Sequence, residues 1–329
     1  MKFSLATSLL FLASVVLGAS RTTAPSGALV VGSGQKYTTI SKAVSALSST
    51  TTNEQVIFIQ PGTYKEQVYI PALKGPLTIY GSTKDTTSYS SNQVTITSAY
   101  GLDTKSTDDE TATLRVWTQN FKLYNVNVKN TRGQGSQALA LSASAANQGY
   151  YACQFTGFQD TVLAQQGAQL YARSYIEGAT DFVFGQHAQA WFEQVHFGVL
   201  AASQGYVTAS GRASNDNGYY VINKGTIAAA PGNTVKAGSY FLGRPWGAFA
   251  RVVFQSTSMT DVINAKGWSV WNTGDERTSN VVFEEYGNTG AGASGTRASF
   301  SKKISSPIAI TTVLGSGYAS AKYVDTSYM

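Results

Sequence analysis

The 329-residue chain has a formal net charge of +6, and only 13% of its residues are charged. Its basic residues are scattered, so it lacks the concentrated patch typical of proteins that bind nucleic acid. An anionic polymer is a better match for the charge, although a merely solvated surface explains it equally well. The single cysteine, Cys153, excludes an intrachain disulfide, and we expect it to be a buried thiol.

The N-terminus, residues 1–19, has the pattern of a secretory signal peptide. Lys2 precedes the apolar run "FSLATSLLFLASVVL", and three small residues, Gly18–Ser20, follow it. The run is shorter than the ~20 apolar residues of a membrane-spanning helix. We therefore predict a secreted, extracellular protein that does not bind a membrane. Because no linker marks a boundary, we expect residues 20–329 to form one domain.

The first predicted element of the mature chain is a helix within "YTTISKAVSALS". Ile40, Ala43, Val44 and Leu47 are spaced so that they share one face of a helix. Short β runs such as "VIFI" and "LTIY" predominate after it. We expect the helix to cover the open end of the structure that these strands build, since an unpaired strand edge invites aggregation.

Five strand triplets carry a loose repeat, in which a small or apolar residue, a mostly polar residue and an apolar residue follow one another. The triplets begin at Val126, Cys153, Ser174, Val195 and Gly225, so their spacings are 27, 21, 21 and 30 residues. A unit of about 21 residues with insertions indicates a solenoid, and strand-rich units of this size favour a parallel β-helix. The irregular spacing leaves an antiparallel sandwich as the alternative.

Two aspartates occupy equivalent places in this repeat. Asp160 lies five residues after Phe155, and Asp181 lies five residues after Ile176. Equivalent residues of neighbouring coils in a parallel β-helix stack about 4.8 Å apart, so the pKa values of the two carboxyl groups would separate. One carboxylic acid beside one carboxylate is suited to acid–base and nucleophilic catalysis. Two surface aspartates in turns are the alternative interpretation.

Five short motifs follow one another along the chain, namely "GTYKE" at 62–66, "QALAL" at 137–141, "GFQDTVL" at 157–163, "DFVFG" at 181–185 and "LGRPW" at 242–246. Together and in this order they resemble the pectin methylesterases (pectinesterases), particularly the fungal ones. Leu139 and Val183 stand where Val and Ile are commoner in that family. The resemblance runs from about Lys36 to the C-terminal region.

The resemblance implies an all-β fold, a right-handed parallel β-helix, which agrees with the repeat. It also implies a carboxylic ester hydrolase that removes methyl groups from methyl-esterified galacturonan (pectin), giving pectate and methanol without a metal or organic cofactor. We expect the protein to be a monomer.

The resemblance also assigns roles to individual residues. At the matching positions, Asp181 resembles the nucleophile of the family and Asp160 its general acid and then base. Gln137 and Gln159 resemble the residues that stabilise the oxyanion, and Arg244 resembles the residue that holds Asp181. Gln137 and Arg244 are also expected to contact the substrate. A structural amide ladder for the two glutamines and an exposed ion pair for Arg244 are the alternatives.

Four aromatic residues lie in or after the last three of these motifs. Trp246 resembles a substrate-contacting aromatic of the family. Phe158 and Phe184 flank the two aspartates, and we predict that they bind substrate, with ordinary packing as the alternative. We expect Trp271 to be a packing aromatic.

Other activities match the residues less well. The sequence has no Gly-x-Ser-x-Gly motif, and its only histidines, His187 and His196, belong to no recognised motif. The Asn-Thr-Asp and Gly-His-Gly motifs of a polygalacturonase are absent, and Asp108-Asp109 lies in a polar run that we expect to be a loop. We find no acidic cluster that would bind the calcium ion of a pectate lyase. Another pectin-active β-helix enzyme and a non-catalytic solenoid that binds cell-wall polysaccharide are the alternative functions.

Overall fold

The structure, a computed structural model, describes residues 18–329. The predicted signal peptide therefore lies outside the described residues except for its last two positions. Within residues 18–329, no helix combines the length and the apolar character that crossing a membrane requires.

Strands of the described chain form three sheets, and the paired strands run parallel in all of them. Sheet 1 contains Leu29–Val31, Gln55–Ile59, Leu77–Gly81, Phe121–Tyr124, Gln148–Tyr151, Gln166–Ala172, His187–Glu193, Tyr219–Asn223, Arg251–Gln255, Val282–Tyr286 and Ser301–Lys303. Sheet 2 contains Gly62–Lys65, Val94–Ser98, Asn127–Asn130, Gln154–Thr156, Tyr175–Gly178, His196–Val199, Thr226–Ala229 and Ser258–Met259. Sheet 3 contains Val68–Ile70, Leu114–Val116, Leu141–Ala143, Val162–Ala164, Val183–Gly185, Gly205–Ser210 and Tyr240–Pro245.

The helices of residues 18–329 are short. The α-helices are α1 (Ile40–Ser45), α2 (Asp108–Thr111) and α3 (Ile310–Leu314). Single 3₁₀ turns occupy Tyr89–Ser91, Ala291–Ala293, Tyr318–Ser320 and Thr326–Tyr328.

The chain visits sheets 1, 2 and 3 in turn and then returns to sheet 1, so each circuit is one coil of a right-handed parallel β-helix. The register in which neighbouring strands pair confirms the predicted repeat. Gln154 pairs with Asn127 on one side and Tyr175 on the other, and His196 pairs with Tyr175 and Thr226. These are the middle residues of the five triplets, so the alternative of an antiparallel sandwich is wrong.

A backbone feature explains how each coil turns from sheet 1 into sheet 2. The residue directly before each triplet has a positive φ, between 47° and 54°, at Asn125, Ala152, Arg173, Gln194 and Lys224. The left-handed conformation bends the chain sharply within one residue, at a cost of about 1 kcal/mol or more for a residue with a Cβ atom. The repeat of this turn keeps successive coils in register.

The predicted amphipathic helix is present as α1, although it is shorter than the periodic stretch. Ile40, Ala43 and Val44 are buried in the core between the sheets. The Glu66 carboxylate accepts hydrogen bonds from the backbone N–H groups of Ile40 and Ser41 at 2.8 and 3.0 Å. Glu66 of the "GTYKE" motif therefore serves folding by capping α1, while the role of the helix in covering the end of the solenoid stays a prediction.

The C-terminal segment packs on the outer face of sheet 1. Val313, Tyr323 and Tyr328 are buried there, and the Tyr151 hydroxyl donates a hydrogen bond of 2.5 Å to the Tyr323 carbonyl oxygen. Cys153 is fully buried, as predicted, and burial raises the pKa of its thiol to about 12. The C-terminal segment therefore covers the outer face of sheet 1.

Candidate active site

Asp160 and Asp181 occupy equivalent positions on neighbouring coils, as the repeat predicts. They lie in the turns that lead from sheet 2 into sheet 3, where Gln159 forms a parallel bridge with Thr180 and the Asp160 N–H donates to the Thr180 carbonyl oxygen at 3.0 Å. Both aspartates have a positive φ, 62° and 51°. The same backbone conformation thus repeats on neighbouring coils and keeps the two aspartates at equivalent places.

The two carboxylates face a pocket rather than open solvent. The side of sheet 3 that carries them has a cavity of about 270 Å³. Asp160 and Asp181 retain only 8% and 6% of their exposure, so the interpretation of two surface aspartates in turns does not hold. The residues that line the cavity are Asp108, Gln137, Gln159, Asp160, Asp181, Phe184, Ala209, Arg244, Trp246 and Trp271.

Arg244 binds only one of the two carboxylates. Its Nε donates to Asp181 Oδ1 at 2.9 Å and its Nη2 donates to Asp181 Oδ2 at 2.6 Å, which is a forked ion pair. The Arg244 guanidinium carbon lies 4.1 Å from the centre of the Tyr206 ring and 4.3 Å from a ring of Trp271. The two aromatic rings fix the guanidinium through cation–π contacts. Trp271 therefore packs on Arg244, and it also lines the pocket.

The surroundings of Asp160 and Asp181 give their carboxyl groups different pKa values. Burial raises the pKa of Asp160 well above its ordinary value, and the charges of Asp181 and Asp108 raise it further while Arg244 opposes them. The pKa of Asp181 is also raised above its ordinary value, chiefly by burial, although the hydrogen bonds and the charge of Arg244 oppose the rise. The pocket thus favours a protonated Asp160 beside an ionised Asp181.

Gln137 and Gln159 lie at the same pocket with their amides available. Within residues 18–329, neither side-chain amide makes a hydrogen bond to another residue. By contrast, Gln165 Nε2 does donate to Gln186 Oε1 at 3.1 Å on the neighbouring strands. The alternative of an amide ladder therefore fits Gln165 and Gln186, not the two pocket glutamines.

The two phenylalanines differ in position. Phe184 is buried, lines the pocket and lies 6.0 Å from Trp246 between ring centres. Phe158 is half-buried and lies outside the lining residues; its carbonyl oxygen accepts the Ala179 N–H at 2.7 Å in the turn. A role for Phe158 in substrate binding stays a prediction.

Asp108 also lines the pocket, and the sequence did not predict this. We expected a loop there, whereas Asp108 begins helix α2, and Thr107 caps the helix by accepting the Glu110 N–H at 3.3 Å. The "TDDE" sequence is a capping-box pattern that could have revealed this helix start. Asp108 lines the pocket with one buried oxygen, Oδ1, that has no hydrogen-bond partner among the described residues. Burial raises the pKa of Asp108.

The histidines lie elsewhere. His187 Nδ1 is 3.8 Å from Asp216 Oδ2, and His196 Nδ1 is 2.8 Å from the Tyr89 hydroxyl. Neither lines the pocket. Among residues 18–329, no group of three or more His, Cys, Asp or Glu side chains is arranged to hold a metal ion. The chemistry that this pocket offers is that of paired carboxylates with amide donors and one guanidinium.

Comparisons with known proteins agree with this geometry. The family model described as Pectinesterase matches residues 28–323. A pectinesterase of Aspergillus niger is 57% identical over 99% of this chain and 99% of its own length, and one of Aspergillus aculeatus is 57% identical over 95% of each. The crystal structure of a pectin methylesterase from Aspergillus niger superposes with a TM-score of 0.86 at 40% identity, covering 94% of this chain and 100% of that one.

Proposed function

Since the chain belongs to the pectinesterase family, we propose that its stacked carboxylates hydrolyse the methyl esters of pectin, with Asp181 as the nucleophile and Asp160 as the general acid and base. The enzyme is a pectin methylesterase, and its products are methanol and pectate. The observation that supports the assignment of roles is the asymmetry of the pair. Arg244 forms its two hydrogen bonds with Asp181 alone, whereas Asp160 is buried near two other carboxylates, those of Asp181 and Asp108.

The first step is attack on the ester. The Asp181 carboxylate attacks the C6 carbonyl carbon of a methyl-esterified galacturonosyl unit, and Arg244 keeps the nucleophile ionised and oriented. The carbonyl oxygen gains negative charge as the tetrahedral intermediate forms. Amide N–H groups of Gln137 and Gln159 stabilise this oxyanion, and each such donor contributes about 3 kcal/mol to the lowering of the barrier.

The second step expels methanol. Methoxide is a poor leaving group, so the proton that the pocket holds on Asp160 moves to the departing oxygen. An anhydride between Asp181 and the substrate carboxyl results. A water molecule that gives its proton to the ionised Asp160 then attacks the substrate carbonyl carbon. Asp181 leaves as a carboxylate, Asp160 is again protonated, and the galacturonate is released.

We also propose where the protein is located and in which oligomeric state it acts. The N-terminal leader pattern and a substrate that lies outside cells both support secretion into the extracellular space. The monomeric state stays a prediction.

The reaction type is tested by product analysis on purified, highly methyl-esterified pectin with EDTA present. We expect methanol to be released with no increase in reducing ends and no unsaturated product. New reducing ends would indicate a polygalacturonase, and unsaturated uronides would indicate a lyase. Tight binding of pectin without any product would indicate the non-catalytic solenoid.

Asp108 provides a test of the acid role through the pH profile. Its negative charge raises the pKa of Asp160, so Asp108→Asn is expected to lower that pKa. Activity falls where Asp160 loses its proton, and the high-pH limb of kcat/KM should therefore move to lower pH. Asp109→Asn is the matched control, because Asp109 is neutralised by Arg115 Nε at 2.9 Å. An unchanged limb in Asp108→Asn would contradict the electrostatic coupling.

A further inference from the structure

A second arginine, Arg277, lies beside the catalytic pocket and joins two of its walls. Its guanidinium carbon is 5.1 Å from the centre of a Trp271 ring, and its Nη1 donates a hydrogen bond to the Trp246 carbonyl oxygen. Trp246 follows directly on the last strand of sheet 3, whereas Trp271 belongs to a separate segment of the chain. Both tryptophans line the pocket, but Arg277 does not. Arg277 therefore connects two parts of the pocket wall from outside the pocket.

Trp271 and Arg277 are the two ends of one tight loop, which we call the 271–277 loop. A backbone hydrogen bond closes it, since the Trp271 N–H donates to the Glu276 carbonyl oxygen at 3.2 Å. Residues 272–276 are exposed, whereas the two end residues are half-buried. The place of the loop on the protein is therefore set by the contacts that its two ends make.

Asp275 holds Arg277 in a fixed geometry. Arg277 Nε and Nη2 donate to Asp275 Oδ2 at 2.9 and 2.7 Å, which leaves Nη1 for the Trp246 carbonyl oxygen. The pair lies near the surface, where the Arg277 side chain is 31% exposed and that of Asp275 is 52% exposed. Exposed ion pairs contribute little to stability. Loss of Arg277 should therefore alter the position of the loop more than the folding of the protein.

The 271–277 loop also contacts the arginine that holds the catalytic carboxylate. A ring of Trp271 lies on the Arg244 guanidinium, and Arg244 Nη1 donates to the Trp271 carbonyl oxygen at 3.5 Å. The other two nitrogens of this guanidinium bind Asp181. All three nitrogens of Arg244 thus have acceptors, and the loop supplies one of them. A shift of the loop would consequently move Arg244 relative to Asp181.

We propose that Arg277 is a positioning residue of the esterase reaction. It holds the 271–277 loop against Trp246. The loop in turn keeps Arg244 aligned with Asp181. This inference rests on the proposed function. Arg277 acts through other residues and does not touch the ester, and a displacement of about 1 Å at the reacting groups can lower a rate about 10²-fold.

The first test is kinetic. On highly methyl-esterified pectin, Arg277→Ala should lower kcat by about tenfold. KM should change less than about twofold, because Trp246 keeps its contact with Phe184. The temperature of thermal unfolding should fall by no more than about 2 °C, since the lost ion pair is exposed.

The pH profile separates positioning from a merely structural role. Burial raises the pKa of Asp181, and the hydrogen bonds and the charge of Arg244 oppose the rise. A poorly aligned Arg244 opposes it less. The low-pH limb of kcat/KM, where Asp181 becomes protonated, should therefore move to higher pH in Arg277→Ala. A smaller amount of folded enzyme would lower the whole profile without moving this limb.

Two further variants are matched to this one. Arg277→Lys keeps a cation near Trp271 but loses the planar fork, so its kcat should lie between those of Arg277→Ala and the wild type. Lys36→Ala is the control. Lys36 Nζ lies 5.3 Å from the centre of the Tyr37 ring, which is a similar cation–π distance, and neither residue lines the pocket. Its kcat and pH profile should be those of the wild type.

The loop contact can also be observed without activity. In enzyme labelled with fluorotryptophan, the ¹⁹F resonance of Trp271 can be assigned with Trp271→Phe. It should shift in Arg277→Ala and stay in place in Lys36→Ala.

The outcomes are separable from those of the proposed function. An Arg277→Ala enzyme with the kcat of the wild type would overturn the positioning role. An unmoved low-pH limb or an unmoved Trp271 resonance in that variant would overturn it as well. If the wild-type enzyme releases no methanol while the resonance shifts as expected, the proposed function fails and the loop contact stands.

Discussion

Asp181→Asn should lower the rate of methanol release from pectin at least about 10³-fold. An amide cannot attack the ester carbonyl, and no other carboxylate in the pocket is held by Arg244. Asp160→Asn should cause a loss of similar size, because the amide cannot give a proton to the leaving methoxide. Substantial activity in either purified, folded variant would contradict the roles assigned to the pair.

The same two variants should differ in stability. Asp181→Asn leaves the Arg244 guanidinium, whose side chain is only 16% exposed, without the partner of its forked ion pair, so we expect a loss of about 3 kcal/mol in the free energy of unfolding. Asp160→Asn instead removes a carboxyl group that is buried beside two like charges. It should therefore melt at the same temperature as the parent or higher.

The effect of Asp160 on stability should also depend on pH. Burial raises its pKa in the folded state above the value in the unfolded chain. The contribution of this group is therefore complete at low pH, below its unfolded pKa, and is lost as the pH rises through the folded pKa. As the pH rises above about 4, the ordinary aspartate pKa, the wild-type enzyme should lose more stability than Asp160→Asn does. Thermal unfolding of both proteins across that range is the measurement, and parallel curves would show that the Asp160 pKa is not raised.

Arg244→Lys should reduce turnover by about 10²-fold while the protein folds normally. Lysine keeps the charge, but it cannot make two parallel hydrogen bonds to Asp181, and it loses the flat contact between Tyr206 and Trp271. Asp181 would then be less well aimed at the ester carbonyl. The loss should be mainly in kcat, since the ion pair orients the nucleophile.

A matched control for this change is Arg132→Lys. Arg132 also pairs with an aspartate, Asp103, through Nε at 2.8 Å, but this pair is on the surface. Its replacement should leave turnover unchanged, because exposed ion pairs contribute little. If Arg244→Lys keeps near-normal turnover, Arg244 acts only through its positive charge and does not orient Asp181.

The repeat explains why so much of the site was predictable from the sequence. Asp160 and Asp181 follow the strand triplets by the same number of residues, and parallel pairing in register then brings them together. Neighbouring coils must stack in this way because their strands share hydrogen bonds. Periodicity therefore predicted both the fold and the equivalent placement of two residues 21 positions apart in the chain at one pocket.

The pocket residues that the sequence did not predict lie where the repeat is interrupted. Asp108 comes from a helix in an insertion between sheets 2 and 3, and Trp271 comes from the segment after the last strand of sheet 3. Their places depend on long-range contacts, such as that between Trp271 and Arg244, which have no regular spacing. Only the capping box at Thr107 offered a local indication, and it predicts a helix start rather than a position in the pocket.

The different roles assigned to Asp160 and Asp181 are tested most directly by measuring the pH at which each carboxyl group loses its proton. Enzyme labelled with ¹³C at the aspartate carboxyl carbons can be titrated by NMR from about pH 3 to 9, with Asp160→Asn and Asp181→Asn used for assignment. The Asp160 resonance should titrate well above the ordinary aspartate range and above that of Asp181, and its midpoint should fall in Asp108→Asn. An Asp160 resonance that titrates at or below that of Asp181 would contradict the assignment of Asp160 as the acid.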